Sequence, residues 1–479
     1  MTLPRLNNQA QLPATVLAPR YDRSAHGAGI LHIGLGAFHR AHQAVATDDA
    51  LAAAGGDWAI IGANLRSRDT AEAMAAQDGL YTVLIRGEHT LARVIGAHAA
   101  TIGGDCAAIL EAALRPEIRI LSLTISEKAY GIDRDALDID DSHPAVAADL
   151  AAPDHPQGAL GLITMALAKR RRAGHAPFTV LCCDNLAHNG ALLRAGVLGF
   201  ARRVDPDLAA WIAQNVAFPS TMVDRITPAT TAKTLEDAAR LTGHQDLAAI
   251  ETEPFTQWII EDNFPQGRPY WEAGGVQFVP DVAPYEAMKL RLLNGSHSLI
   301  AYMGQLAGLD YVRDVVADPK LRAAVVRHMA WAAGSLDRQL DTGGYIDALL
   351  ARFANPAIDH ETRQIAMDAT QKLPQRWFAP ALELRDDHGP LAFAVAVWLA
   401  YLRQLAAKGA RANDPQADRL FELSCQHASD PAAFYDAIRA LPGFMPAALA
   451  ADDALKEMTL RHLDRITAQG LAVAVEACA

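Results

Sequence analysis

Gly29-Ile30-Leu31-His32-Ile33-Gly34-Leu35-Gly36-Ala37-Phe38-His39 is the stretch that decides the fold of this chain. Its opening residues form a short apolar run that ends at Gly34 and reads as a strand. The helical pattern that follows stops at Gly55-Gly56, and glycine just past a last turn is a strong stop signal. Trp58-Ala59-Ile60-Ile61-Gly62 then supplies a second strand, and further strands are expected at 118–123 and 178–183. Strand, helix and strand in repetition predict an α/β fold, a doubly wound parallel sheet with helices on both faces.

Farther along, the period changes. From Tyr285 to Gly308, Arg322 to Gln339 and Leu391 to Lys408, apolar residues recur at helical spacing and strand signals thin out. A chain of 479 residues is too long for one ordinary core. The change of period places a boundary near Pro284, giving an α/β domain over 1–283 and a mainly α-helical domain over 284–479.

Composition excludes several function classes. A net charge of −12 with no basic tract argues against nucleic acid or an anionic membrane as partner, since both need clustered Lys and Arg. Cys106, Cys182, Cys183, Cys425 and Cys478 form no C-x-x-C pair, and an odd count is no disulfide framework. They read as small buried hydrophobes in a reducing compartment. Pro4 and Pro13 stand among polar residues, with nothing resembling a signal peptide. The apolar run from Leu391 to Leu402 is too short to span a bilayer and reads as a buried helix. A cytoplasmic location is the expectation. No heptad or apolar patch marks an oligomer interface.

The glycines of Gly34-Leu35-Gly36-Ala37-Phe38-His39 sit where a first strand turns into a helix. They allow a tight turn and let backbone N–H groups approach a pyrophosphate at the positive end of the helix. This predicts a Rossmann-type dinucleotide site; the competing reading is a plain strand-to-helix turn. His39 replaces the third glycine of the usual G-x-G-x-x-G. After the second strand comes Asn64-Leu65-Arg66-Ser67-Arg68-Asp69. An acid there would hold the ribose hydroxyls of NAD, and arginines would accept the extra phosphate of NADP. NAD is favoured because Asp69 would repel that phosphate, with NADP still open. His39 and His42 lack a third ligand at a recognisable spacing, so no metal is expected, and a histidine on a polar helix face is the simpler account.

Pro284-Tyr285-Glu286-Ala287-Met288-Lys289-Leu290-Arg291-Leu292-Leu293-Asn294-Gly295-Ser296-His297 carries the chemistry. On an α-helix, Lys289, Asn294 and His297 stand at about 0°, 140° and 80°, and Glu286 near about 60°. Four polar groups thus share one face between Leu290 and Leu293. A solvated face is the competing account, but it would more often show further Lys and Glu than Asn and His. Oxidising a secondary alcohol needs a base for the hydroxyl proton, and a lysine serves if burial lowers its pKa. Amides stabilise charge developing on oxygen. His297 would orient that oxygen, and Glu286 would pass the proton outward. Asn185, at the end of the 178–183 strand, is expected to face Asn294 across a cleft, unless it is only a turn residue.

Taken together, the segments GILHIGLGAFHRAHQA from Gly29, LSLTISEKAYG from Leu121, VLCCDNLAHNG from Val180, FPSTMVDRITPAT from Phe218, EPFTQWIIEDNFPQGRPYWE from Glu253 and KLRLLNGSHS from Lys289 resemble the mannitol dehydrogenase family of polyol-specific long-chain dehydrogenases. The resemblance runs from Gly29 to Arg376. It implies a zinc-free enzyme with Lys289 as general base, Asn185 and Asn294 as the oxyanion pocket, His297 positioning the substrate oxygen and Glu286 gating the proton path. It places Asp224 and Arg225 near the nicotinamide, and Glu127 of the SEKAYG segment with the cofactor residues.

Residues 364–376 resemble the D-mannonate oxidoreductase (fructuronate reductase) branch more than mannitol enzymes, although Ala369 replaces its usual glycine. Lys372 or Arg376 could then pair with the carboxylate of a sugar acid. In a polyol enzyme the same cations would contact hydroxyls or solvent. Two other classes remain in play, a dinucleotide sensor without turnover and a metal hydrolase using His39 and His42. The sensor has no need of a base such as Lys289, and the hydrolase predicts chelator-sensitive activity.

Overall fold

The computed structural model describes residues 3–384 and 388–476. It divides into two compact units, 1–283 and 284–479. In the first, β1 (Ala28–Ile33), β2 (Ala59–Asn64), β3 (His98–Gly103), β4 (Ile120–Leu123) and β5 (Thr179–Cys182) pair in parallel in the order β3-β2-β1-β4-β5. This is the Rossmann-type sheet that the apolar runs predict. Edge strand β3 escapes that pattern. Its sequence, His98-Ala99-Ala100-Thr101-Ile102-Gly103, holds one large apolar residue, so pairing with β2 rather than its own propensity makes it a strand.

Side chains alternate across the sheet. Leu31, Ile33, Ile61, Leu121, Leu123 and Val180 pack with residues of the helices Cys106–Leu114, Ala159–Arg172 and Asn189–Val204. Ile30, Ile60, Ile120 and Leu181 face the other way, toward α1 (Ala37–Ala41), α2 (Gln43–Ala54) and Trp258 and Trp271. Helices cover the first face, whereas α1 and α2 share the second with two small three-stranded sheets. Those strands run three to six residues, too short to announce themselves by alternation.

Beyond residue 284 the described structure is helical. The helix expected over 322–339 runs Pro319–Ala333, opened by Asp318, which accepts from the amides of Lys320 and Leu321. Gly389–Ala407 is long and apolar enough to cross a membrane, and so longer than the run the sequence singles out. Its residues from Leu391 to Leu402 are nonetheless all buried within the unit. Cys106, Cys182 and Cys183 are buried, but Cys425 is exposed, against expectation, because it falls on the outer face of the amphipathic helix Ala417–Gln426. Cys478 lies outside the described residues.

The stretch expected to be one α-helix is instead three segments. Ala283–Met288 is α-helical, Lys289–Asn294 is a π-helix, and Gly295–Ala307 is α-helical again. The π bond runs from the Gly295 amide to the Leu290 carbonyl. A second π-helix, Pro374–Phe378, is closed by the Ala379 amide on the Pro374 carbonyl. Against this pair packs His328, 1% exposed, its ring within 6 Å of those of Trp331 and Trp377. Neither of its ring nitrogens has a hydrogen-bond partner.

Burial pushes the His328 pKa from 6.5 down to about 4. Between those values the unfolded chain binds a proton that the folded protein refuses. Its contribution is therefore intact above pH 6.5 and lost as pH falls toward 4. His328→Leu should flatten the acid-side decline of Tm, removing up to roughly 3 kcal/mol of pH-dependent destabilisation. Identical Tm-versus-pH slopes for the variant and the parent protein would rule His328 out as a source of acid lability.

Candidate active site

In an open parallel sheet, ligands bind beyond the carboxyl ends of the strands, at the point where strand order reverses. Here that point lies between β1 and β4. Gly34 follows β1 with φ +111°, and a Cβ there would come within 2.1 Å of the Thr124 carbonyl oxygen beyond β4. Only glycine fits. Gly36 is exposed, and nothing lies within 4 Å of where its Cβ would stand. It caps α1 without a side chain, so the first amides of that helix, at Ala37 and Phe38, have no side-chain acceptor. The Leu35 amide is held by Asn64 Oδ1 at 2.9 Å, which ties the loop to the end of β2. The donor set fits a pyrophosphate: a backbone turn too tight for side chains, and an uncapped helix start.

Phe38 is half-buried, its ring 4.8 Å from that of His42. The polar helix face expected for the histidines is absent. His39 and His42 are 0% and 3% exposed, because the chain bends at His42 (φ −120°, ψ −87°) and turns both rings inward. Arg66, Arg68 and Asp69 are exposed after β2. Asp69 opens the helix Asp69–Ala75, where a carboxylate complements the helix dipole. Glu127 begins the short turn Glu127–Ala129, and its side chain lies outside the described residues.

Asp184, a functional residue that no sequence motif marks, ties two of these strand ends together. It accepts from the Ile125 and Ser126 amides at 3.1 Å each and from the Tyr130 hydroxyl at 2.6 Å. The only signal for it was its place in the Cys183-Asp184-Asn185 segment. Asn185 beside it is exposed, whereas Asn189 is buried and bonds Thr221 through both ends of its amide. Asp224 ends the strand Thr221–Asp224 and is buried. The Arg225 guanidinium is taken up by the Glu253 and Ala41 carbonyls, which clamps the end of α1. Burial lowers its pKa to about 10, still well above neutrality.

One cavity, of about 660 Å³, opens at the amino ends of β2 and β3 beside Arg23 and Asp78. Arg23 there is already bonded to the Gly96, Asp78 and His98 carbonyls, and the strand ends that bind ligands lie at the opposite edge. Among the described residues, no group of three or more His, Cys, Asp or Glu is arranged to hold a metal ion.

In the second unit the π-helix changes the geometry drawn from an ideal α-helix. Residues five apart, about 140° apart on an α-helix, are brought nearly one above the other by an i→i+5 turn. Lys289 and Asn294 are such a pair. Lys289 is 9% exposed, and Glu286 and Asn294 are half-buried. His297 is 8% exposed and its Nε2 has no hydrogen-bond partner. Its ring packs 4.6 Å from Phe353 and 4.9 Å from His360. Burial, then the neighbouring His360 and the charges of Arg352 and Arg376, holds its pKa well below the ordinary histidine value, so the imidazole is neutral.

Arg376 sits in the second π-helix and donates through Nη1 to the Asn294 carbonyl (3.2 Å) and Ser298 Oγ (3.0 Å). Its neighbour Trp377 donates through Nε1 to the Gly295 carbonyl at 3.0 Å. The Nε and Nη2 groups of Arg376 have no hydrogen-bond partner among the described residues, and burial lowers its pKa to about 10. Lys372, one turn earlier, donates to the Met367 carbonyl at 2.8 Å and stands 3.6 Å from Asp368. Burial, then the nearby Arg376 charge, lowers the Lys372 pKa.

Comparison with known proteins follows the same division. A family model described as the mannitol dehydrogenase Rossmann domain matches residues 28–273, and one described as the mannitol dehydrogenase C-terminal domain matches 281–443. The second carries the family match well beyond Arg376, the end of the resemblance seen in the sequence motifs. The chain is 43% identical to the D-mannonate oxidoreductase of Escherichia coli K12 over 407 residues, 82% of this chain and 84% of the relative. A substrate-free D-sorbitol dehydrogenase structure superposes with a TM-score of 0.91 at 34% identity, covering 99% of this chain and 100% of that one. The mannitol 2-dehydrogenase of Pseudomonas fluorescens, in a ternary complex with NAD and D-mannitol, superposes with a TM-score of 0.81 at 35% identity, covering 99% of each chain. With both domain models matched in order along its length, the chain belongs to the mannitol dehydrogenase family of oxidoreductases.

Proposed function

We propose that this protein is an NAD-dependent cytoplasmic dehydrogenase that needs no metal and interconverts a secondary alcohol and a ketone on an open-chain sugar acid, of the D-mannonate and D-fructuronate type. The observation that carries the substrate reading is the edge of Arg376. Nε and Nη2 form the side-on fork of a guanidinium, the geometry that meets a carboxylate with two parallel bonds. Arg352 and Lys372 add positive charge nearby, since Arg352 and Arg376 both act on His297, and Arg376 acts on Lys372. A neutral polyol would not require that charge.

The loop at Gly34 and Gly36, with the Ala37 and Phe38 amides, receives the dinucleotide pyrophosphate. Asp69 favours NAD, and Arg66 and Arg68 leave NADP as a poorer second choice. Bound NAD supplies the acceptor for the hydride that leaves the carbinol carbon. Lys289, 9% exposed, takes the hydroxyl proton. Asn294 and Asn185 donate to the oxygen as negative charge grows on it. Neutral His297 offers its unpartnered Nε2 to the same oxygen as an orienting hydrogen bond rather than as an acid. Glu286 relays the proton to solvent, and Asp224 and Arg225 support the cofactor side. The partner throughout is a small molecule.

The test follows NADH and NADPH absorbance with D-fructuronate and with D-fructose, in the presence of a chelator. Oxidation of NADH by fructuronate is the expected result; preference for fructose would make the enzyme a polyol dehydrogenase. Lys289→Ala should lower kcat at least about a hundredfold while leaving the Kd for NAD within a factor of about two. Near-normal turnover would remove Lys289 from the role of base. Arg376→Lys keeps a cation and loses the fork. Its KM for fructuronate should rise by about 10- to 100-fold. An unchanged KM would detach the carboxylate from Arg376.

A further inference from the structure

Behind the glycine loop, five polar side chains from β1, β3, β4 and the α1–α2 segment meet in the apolar layer beneath α1 and α2. His32, His39, Ser122 and His98 are 0% exposed and Gln43 is 1% exposed. The His32 and His39 rings stack 3.4 Å apart with their planes at 11°. Starting at the loop, His32 Nε2 lies 2.9 Å from the Gly34 carbonyl, which can only accept, so His32 carries its proton on Nε2. A buried neutral imidazole then has a bare Nδ1, and Ser122 Oγ is 2.9 Å away to donate to it. Ser122 Oγ accepts in turn from Gln43 Nε2 at 3.0 Å. Gln43 Oε1 stands 3.2 Å from His39 Nδ1, which must donate. His39 Nε2 is left as an acceptor for His98 Nε2–H at 3.0 Å.

His32 Nε2 also lies 3.0 Å from Thr124 Oγ1, whose own hydrogen goes to the Gly34 carbonyl at 2.8 Å, so Nε2 keeps its proton and the later steps follow from it. Ser122 Oγ is also 3.1 Å from Gln43 Oε1, but His32 Nδ1 has no other donor, so the hydroxyl hydrogen points to His32. The last atom, His98 Nδ1, should be a bare acceptor, and it is a buried nitrogen with no partner. Burial holds all three imidazoles far below the ordinary histidine pKa, as neutrality of the chain requires.

We propose that His98, His39, Gln43, Ser122 and His32 form a one-way hydrogen-bond chain whose terminal donor fixes the Gly34 carbonyl, making these five the positioning residues of the dinucleotide loop. The Gly34 oxygen also accepts from Thr124 Oγ1 at 2.8 Å and from the Gly36 amide at 2.7 Å. With that oxygen held away, the amides that open α1 face outward for an anion. Without Ser122 Oγ, His32 Nδ1 becomes a buried acceptor with no donor and the ring loses its anchor to β4. The Nε2–H that holds the Gly34 oxygen is then no longer fixed in place, and the loop loosens. The proposal rests on the dinucleotide reading of this loop.

The experiment measures the Kd for NAD by calorimetry on the full chain, with Tm recorded alongside, for the parent protein, Ser122→Ala and Ser122→Cys. The thiol keeps the shape but donates weakly. Kd should rise at least about tenfold in the alanine variant and at least about threefold, but less, in the cysteine variant. At saturating NAD, kcat should stay within about twofold for both, a split that general loss of stability would not produce. A Kd within about twofold of the parent in either folded variant, or equal losses in both, overturns the chain. Should Ser122→Ala not fold, the cysteine variant decides by the same threshold. Failure of the parent protein itself to bind NAD would instead overturn the dinucleotide reading, and the role of the chain with it.

Discussion

The approach of Gly34 to the Thr124 carbonyl sets the terms for the rest of the first unit. Two parallel strands that sit side by side at the reversal of strand order must send their chains off in opposite directions. The first of them has room to leave only if the turning residue lacks a Cβ. From that turn follow the uncapped start of α1, the bend at His42 that buries two histidines, and the reach of Asn64 to the Leu35 amide. The neighbouring strand end is governed by a carboxylate. Asp184 gathers the backbone after β4 to the end of β5, so the loops at this edge of the sheet hold each other.

Much of this was legible in the sequence for a physical reason. Strands buried on both faces must be largely apolar, and β1, β2, β4 and β5 are, with His32 and Ser122 as buried polar interruptions. An edge strand owes its existence to a neighbour, so β3 left little trace, and neither did the strands of the two small sheets. The glycines were legible because only one residue type suits their backbone. His39 was read as a surface residue because a helix of five residues gives too short a period to show which way its side chains face. The buried polar chain behind the loop was invisible for a related reason. Its members lie on four separate stretches, and a serine or glutamine in isolation carries no sign of what it will touch.

In the second unit the residue types of 284–297 pointed to acid–base chemistry, but their arrangement was drawn from an ideal helix. The ladder there steps from i→i+4 to i→i+5, and no residue in KLRLLN demands it. What sustains the step is tertiary. The side chains of Arg376 and Trp377 bond the Asn294 and Gly295 carbonyls, and Pro374 opens the second wide turn with no amide of its own to satisfy. Such support comes from some eighty residues away, beyond the reach of a local pattern.

A wide turn is one residue of surplus stored inside a helix. Every side chain beyond it is rotated relative to those before it, as though the chain had been spliced out of phase. Removing one residue from 289–294 would let an ordinary helix re-form and keep the apolar core of Gly295–Ala307 within reach of its neighbours, yet would swing Asn294 and His297 by roughly 100° about the axis relative to Lys289. Length in this segment is thus as specific as identity. A relative that carried all four polar residues but lacked the surplus would have the alphabet of the site without its spelling.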